Sequence, residues 1–178
     1  YDGDGCNDLS EDYDDDADTI LDVDDSCAKG LLNWLSDTLN DHDTDGCEDL
    51  TEDFDDDADG MCDIDGPSAD CSRGIRGQDM CPLSTIGFIS HQGNDIDGDG
   101  CEDLTEDFDD DGDGYLDEND GCPMIFGSSS QGGVLGCLDL DGDGWAESVD
   151  AFVYDGTQWS DVGEDGYGDN AEGNDADG

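Results

Sequence analysis

The feature that most restricts how this chain can fold is an acidic sequence repeated along it. Three copies are nearly identical: DGDGCNDLSEDYDDDAD at 2–18, DTDGCEDLTEDFDDDADG at 43–60 and DGDGCEDLTEDFDDDGDG at 97–114. A diverged fourth copy, DGDGWAESVDAF, occupies 141–152, and its second half, EDGYGDN, begins at Glu164. Each copy holds two acidic loops, and in the first three copies the second loop starts 14 residues after the first. Self-similarity of this kind predicts tandem structural repeats.

The balance of charges excludes most ways of stabilising these repeats. The 178 residues include 55 Asp and Glu against 3 Lys and Arg, for a formal net charge of −52. So few large apolar residues beside so much charge cannot build one core and would ordinarily mean disorder. The sign of the charge excludes nucleic acid and anionic membrane surfaces as partners. We therefore expect cations to hold the fold together.

The acidic residues have the spacing of calcium ligands. In a twelve-residue calcium loop, side chains at positions 1, 3 and 5 converge on one point, and position 7 contributes its carbonyl, here that of Cys101 in the third repeat. Glycine at position 6 permits a sharp turn, and carboxylates at positions 9 and 12 complete the shell. Magnesium is disfavoured because it resists dehydration into an all-protein cage.

The loops of all four repeats follow this pattern, the last one least well because Gly163 stands at its position 3. The pattern predicts about seven or eight calcium ions per chain. The candidate ligands of the first loops are Asp2, Asp4, Asp8 and Glu11; Asp41, Asp43, Asp45, Asp49 and Glu52; Asp95, Asp97, Asp99, Asp103 and Glu106; and Asp139, Asp141, Asp143, Glu147 and Asp150. Those of the second loops are Asp14, Asp16, Asp18, Asp22 and Asp25; Asp55, Asp57, Asp59 and Asp63; Asp109, Asp111, Asp113, Asp117 and Asp120; and Asp161, Asp165 and Asp169. Thr19 stands at one glycine position, and Gly66 stands at position 12 of its loop, so that site needs water or a neighbouring residue.

The few apolar residues recur in the same phase as the loops. They are Leu9, Leu50 and Leu104; Tyr13, Phe54, Phe108 and Phe152; and Ile20, Met61, Tyr115 and Tyr167. We expect them to form a small core beside the ions of each repeat.

Nine cysteines in so polar a chain predict disulfides and an oxidising compartment, because the paired C-x2-C knuckles of a zinc site do not occur. Cysteines that bracket one repeat are predicted to pair, and Cys137 is then left over. The expected bonds are Cys6–Cys27, Cys47–Cys71, Cys101–Cys122 and Cys62–Cys81. No run of 18 apolar residues is present, so no membrane span is expected. The start at Tyr1, without Met or an apolar leader, suggests a mature form or a fragment.

The tandem D-x-D-x-D-G loops, with cysteine after them, resemble thrombospondin type 3 repeats. The resemblance covers Asp2–Cys27, Asp41–Cys71, Asp95–Pro123 and Asp139–Asn170, and the last stretch also resembles repeats of microbial surface proteins. It implies an extracellular chain wrapped around closely spaced calcium ions, with disulfides between repeats and little helix or strand. Apolar inserts, and Trp145 in place of a cysteine, depart from the family pattern. EF-hand and dockerin modules fit less well, because here position 12 leads into the next acidic loop and leaves no room for an exiting helix.

The expected organisation is four calcium repeat units separated by inserts. The units are 1–27, 41–71, 95–123 and 139–172, the inserts are 28–40, 72–94 and 124–138, and 173–178 starts a further loop. Leu31, Leu35 and Leu39 lie four residues apart and predict a short amphipathic helix in the first insert. The inserts either cover their own calcium units or form contact surfaces.

These features favour an extracellular or cell-surface structural protein that binds calcium. An enzyme is not expected, because no nucleophile elbow, P-loop or zinc-hydrolase motif is present and the carboxylates are expected to be ion ligands. The first hypothesis is a subunit of a head-to-tail fibril, and the alternative is a calcium-rigidified stalk or adhesion module of a larger surface protein. Calcium storage or mineral templating is a weaker third hypothesis.

The fibril hypothesis comes from a sequence match. GNDADG at 173–178 matches GNDIDG at 93–98, and the first loop lacks its position-1 aspartate. Asp175 and Asp177 would then complete the site of a neighbouring chain, in a contact that propagates as a filament. The expected partners are calcium ions, further copies of the chain, and glycans. The hydroxyls that could carry O-linked sugar are those of Ser10, Thr51, Thr105 and Ser128–Ser130.

Overall fold

The part of the chain that the structure describes is almost free of regular secondary structure. A computed structural model describes residues 1–63, 71, 74 and 77–169. Within these ranges there is no helix and no strand, and β pairing is limited to two isolated bridges, antiparallel Gly74–Gly77 and parallel Ile86–Phe88. The expectation of little helix or strand is confirmed. The chain divides into two compact units, Tyr1–Glu102 and Asp103–Gly178. The described residues include no helix that is long and apolar enough to cross a membrane.

All eight acidic loops turn in the same way at position 6. The backbone φ there is positive in every loop, from 87° at Gly166 to 103° at Gly5, and Thr19 adopts it too at 93°. The amide of position 7 donates to the carboxylate of position 5 in each loop, for example Cys6 to Asp4 at 2.6 Å. The sharp turn predicted from the glycine spacing is therefore confirmed, and a threonine accepts the same conformation once.

Carboxylates also close the loops, in six of them through the same two hydrogen bonds. The amide of position 9 donates to the carbonyl that precedes position 1, as from Asp63 to Phe54 at 2.9 Å. The amide of position 2 in turn donates to the carboxylate of position 9, as from Asp56 to Asp63 at 2.7 Å. Side-chain oxygens thus satisfy amides that a helix or strand would otherwise bind, which explains why the sequence forms neither.

Aspartates predominate among the most deeply buried side chains. The largest side chains that are fully buried are Asp16, Asp18, Asp41, Asp57, Asp59, Asp95, Ser84 and Ser129. The predicted apolar core of each repeat is wrong in most of its members: Leu9 is 94% exposed and Leu50 and Leu104 are 88% exposed. Tyr13 and Phe108 are exposed as well. Carboxylates fill the inner side of the loops, so the three leucines and half of the predicted aromatic residues face solvent, whereas Met61 is buried.

The first insert, 28–40, does not form the predicted helix. Its backbone binds the second loop of repeat 1 instead, through Gly30 N to Asp16 Oδ2 at 2.8 Å and Ser36 N to Asp18 O at 2.9 Å. Asn33 between them has a φ of 68°, which interrupts any helix. The three leucines that suggested the helix remain exposed. The helix prediction is wrong because the acidic loop takes the amides that a helix needs.

The following insert repeats this course over its described part, 77–94. Ser84 N donates to Asp57 Oδ2 at 2.7 Å, and Ser90 N donates to Asp59 O at 3.0 Å. Ser90 Oγ also donates to Asp95, the first residue of the next loop. Both inserts therefore lie on the second loop of the repeat that precedes them.

Candidate metal centres

The structure brings together carboxylates that the loop spacing places at positions 1, 3 and 5. One oxygen from each of Asp14, Asp16 and Asp18 lies within 4.8 Å of the others, and Asp41, Asp43 and Asp45 form the same kind of group. In the first loop of the chain, Asp2 and Asp4 group with Asp12. Each group gathers three carboxylate oxygens around one point, which is an arrangement that oxygen-seeking cations require.

Burial raises the pKa of several loop carboxylates, because it disfavours their charged form. Burial, helped by neighbouring aspartates, raises the pKa of Asp25 from the ordinary 3.8 to about 7, although the hydrogen bond from the Cys27 amide lowers it. Burial also raises the pKa of Asp43 and of Asp55 to about 7, and neighbouring aspartates add to the effect. A carboxylate in this position needs either a proton or a cation beside it.

A second kind of cluster lies between the two loops of a repeat. Asp8, Asp12 and Asp15 form one such group, and Asp49, Asp53 and Asp56 form another. In the third repeat, Asp103 and Asp107 are among the charges that act on Asp110, and burial raises the pKa of Asp110 to about 7. The aspartates between the loops were not predicted as ligands, although their recurrence was visible in the sequence. They are Asp12, Asp15, Asp53, Asp56, Asp107 and Asp110.

The clusters between the loops differ in one respect between repeats 1 and 2. Lys29 Nζ lies 2.5 Å from Asp15 Oδ2 and 3.4 Å from Asp8 Oδ2. Leu83 follows Cys81 as Lys29 follows Cys27, so no lysine stands at this place in repeat 2. Among the described residues, His42 is the basic group whose charge acts on that cluster, through Asp49.

Four disulfides are formed, but none of the predicted pairings is among them. The bonds are Cys27–Cys47, Cys62–Cys71, Cys81–Cys101 and Cys122–Cys137. The predicted bonds Cys6–Cys27, Cys47–Cys71, Cys101–Cys122 and Cys62–Cys81 are therefore wrong. Cys137 is bonded, and the free, exposed thiol is that of Cys6.

The reason lies in a contact that we call the Asp-x-Cys clasp. The three clasps are Asp25-Ser26-Cys27, Asp79-Met80-Cys81 and Asp120-Gly121-Cys122. In each, the aspartate Oδ1 accepts the amide of the cysteine at 2.6 Å. The cysteine then bonds to the cysteine of a Gly-Cys pair further along the chain, and the amide of the middle residue donates to the carbonyl that precedes the glycine, at 2.7, 2.7 and 2.9 Å. The clasp directs the cysteine away from its own repeat, so bracketing pairs cannot form.

In the fourth repeat a different contact takes the place of the clasp. Trp145, which replaces the cysteine at position 7, stacks on Trp159 with ring centroids 5.9 Å apart. Gln131 N donates to Gly144 O at 2.9 Å, so the turn of this loop is also covered by a preceding segment.

The remaining predicted ligands are distributed as follows. At position 12, Glu52 Oε2 accepts the amide of Leu31 at 2.9 Å, and Asp150 Oδ1 accepts that of Phe152 at 2.7 Å. At position 9, carboxylates accept the position-2 amide of their own loop in Asp22, Asp49, Asp63, Asp117, Glu147 and Asp169. Asp95, Asp97 and Asp99 belong to the first compact unit, and Asp103 and Glu106 to the second. Asp175 and Asp177 lie outside the described residues.

No protein-family model matches this chain, and no curated protein matches it either.

Proposed function

We propose that this chain is an extracellular calcium-binding structural protein whose repeats fold around the ions. The observation that carries the proposal is the aspartate interior: six of the eight largest fully buried side chains are aspartates. Buried carboxylates are tolerated when a cation or hydrogen bonds satisfy them. The chain has only 3 Lys and Arg against 55 Asp and Glu, which supports bound cations as the main source of positive charge.

Free carboxylate oxygens support a metal ion at these points. Asp14 Oδ1, Asp16 Oδ1 and Asp18 Oδ2 are buried and have no hydrogen-bond partner among the described residues. The three side chains form one of the close groups, so their oxygens are available to a common ligand. A donor set of carboxylate oxygens alone suits a hard cation, and the twelve-residue spacing suits calcium better than magnesium.

The proposed location outside the cell follows from the cysteines. Four disulfides among the described residues are consistent with an oxidising environment, where calcium is also abundant. The resemblance to thrombospondin type 3 repeats supports the same location and the same use of calcium.

For the assembly of the protein, the tandem repeats favour a role as a fibril subunit. A stalk of a larger surface protein is the alternative, and sizing in calcium separates the two.

The calcium-dependent fold is tested by chelation. With excess chelator, the near-ultraviolet circular dichroism of the Trp145–Trp159 stack should collapse, and millimolar calcium should restore it. Affinities are expected at about 10⁻⁴–10⁻³ M per site, the range of extracellular calcium modules. Magnesium at the same ionic strength is the control and should restore little. A spectrum that does not change on chelation would contradict the proposal.

Assembly is tested by electron microscopy of the purified chain with and without calcium. Filaments that form on addition of calcium would support the fibril, and the double variant Asp175→Ala with Asp177→Ala should then fail to form them. Particles that stay monomeric at millimolar calcium would support the stalk instead.

A further inference from the structure

The second loop of repeat 2 has Gly66 where a carboxylate is expected at position 12. We propose that Asp79, 13 residues further along the chain, supplies this carboxylate and completes a cation site with the aspartates of that loop. The loop aspartates are Asp55, Asp57, Asp59 and Asp63. The inference rests on the proposed calcium-binding function and names one ligand of it.

The backbone places Asp79 at the structural equivalent of position 12. Its amide donates to the carbonyl of Cys62, which is position 8 of the loop, at 3.0 Å. In the second loop of repeat 3, the in-register residue Asp120 makes the same bond to Leu116, also position 8, at 3.0 Å. Asp79 therefore meets its loop as an ordinary position-12 residue does.

The clasp is a second, independent reason to regard Asp79 as equivalent to a position-12 residue. Asp25 and Asp120 are at position 12 of their own loops, and each is the first residue of a clasp. Asp79 opens the third clasp with the same 2.6 Å bond from its Oδ1 to a cysteine amide. In all three residues the other oxygen, Oδ2, is buried and has no hydrogen-bond partner among the described residues. One oxygen thus fixes the clasp while the second remains available for a ligand.

The side chain of Asp79 is buried and faces the loop. It is 6% exposed, and its strongest interactions with other charges are with Asp59, Asp57 and Asp63. Asp59 Oδ2 and Asp63 Oδ1 are likewise buried without hydrogen-bond partners in the described part of the chain. An unpartnered carboxylate more than nine-tenths buried, beside others in the same state, requires a cation.

The test is the number of calcium ions bound by the Asp79→Asn variant. Asparagine keeps the shape and the acceptor for the cysteine amide but removes the charge. Calcium titration by calorimetry, with the ion count from native mass spectrometry, should show the loss of one ion or a drop of at least about tenfold in the affinity of one site, since even outer-shell changes cost that much. Asp25→Asn should behave in the same way, whereas Asp24→Asn, an exposed acid, should change neither value.

The outcomes separate this inference from the proposed function. If wild type binds no calcium, the proposed function fails. If wild type binds calcium and Asp79→Asn retains every ion at unchanged affinity, only the role of Asp79 is overturned. Should Asp79→Asn not fold, Asp79→Glu replaces it, because it keeps the charge and moves the carboxylate by one methylene. A weakened single site then supports the inference, and unchanged affinities at all sites overturn it.

Discussion

The second loops of repeats 1 and 2 reach the same arrangement from different sequences. In repeat 1, Asp25 closes the loop at position 12 and Cys27 follows at once. In repeat 2, Gly66 stands at position 12 of the sequence pattern, and Asp79 lies at the same place in the structure, two residues before Cys81. The comparison shows that the clasp, rather than the count of residues along the chain, determines where the last carboxylate of the loop lies.

Removal of the clasp disulfides should have the largest effect, and the effect on calcium binding should differ between the two loops. Cys27–Cys47 and Cys81–Cys101 both span 20 residues, so replacing either pair by serine should cost about 3 kcal/mol of stability in calcium. Asp25 stays in its loop without the bond, whereas Asp79 depends on the clasp. Urea unfolding should therefore show similar losses, while calcium titration should show the greater loss of affinity for the Cys81→Ser and Cys101→Ser variant. Equal calcium affinities in the two variants would contradict the distinction.

Glycine substitutions at position 6 should have the next largest effect. A Cβ on Gly46 would lie 2.3 Å from Asp25 Oδ1, and one on Gly100 would lie 2.1 Å from Asp79 Oδ1. Gly60 has a similar φ of 96°, but a Cβ there meets nothing within 4 Å. All three alanine variants should lose about 1–2 kcal/mol from backbone strain.

Only Gly46→Ala and Gly100→Ala should also weaken calcium binding, because they displace a clasp carboxylate. Gly60→Ala is the matched control. Parallel thermal unfolding and calcium titration measure the two effects, and a loss of affinity in Gly60→Ala as large as in Gly46→Ala would count against a role for the clasp.

Acid should weaken calcium binding, and more so in repeat 2. Burial raises the pKa of Asp79 to about 8 and that of Asp25 to about 7, from an ordinary 3.8. Without calcium, Asp25 and Asp79 stay protonated to a higher pH in the folded chain than in the unfolded chain. Their protonation therefore stabilises the fold fully below pH 4, and this stabilisation is lost as the pH rises towards 8. With calcium the ion displaces the protons, so affinity should rise from pH 6 to pH 8 and then level off. Calorimetry at several pH values in two buffers should detect proton release near neutral pH, and binding that is independent of pH would contradict the prediction.

The smallest effect is expected at the exposed leucines. Leu50→Ala in repeat 2 and Leu9→Ala in repeat 1 should each change stability by no more than about 0.5 kcal/mol, because both side chains lie in solvent. Urea unfolding in calcium provides the measurement. A loss of 2 kcal/mol or more would instead support the apolar core that the sequence pattern predicts.

Local features of this fold could be predicted from the sequence. The turn at position 6 and the convergence of Asp14, Asp16 and Asp18 depend on spacing within one loop, and the structure has both. The clusters between the loops were also visible as recurring aspartates, such as Asp12 and Asp53, but the twelve-residue pattern did not include them.

Non-local features could not be predicted in the same way. The return of Asp79 and the pairing of Cys81 with Cys101 depend on how one segment docks on another, and residue counts along the chain do not contain that information. The leucines were misplaced because apolar periodicity indicates a buried face only when the interior is apolar. Here the carboxylates occupy the interior, and their loop geometry places the leucines outside.

The clasp has a consequence for the order of events during oxidative folding. Even with Cys6 left free, the other eight cysteines can pair in 105 ways, and the chain has to select one of them. Because an aspartate that faces the loop carboxylates lies two residues before the cysteine in each clasp, placing this aspartate also brings the thiol beside its partner. In the proposed function, calcium would thus act as the template for disulfide formation, and a chain oxidised without calcium would acquire mispaired bonds.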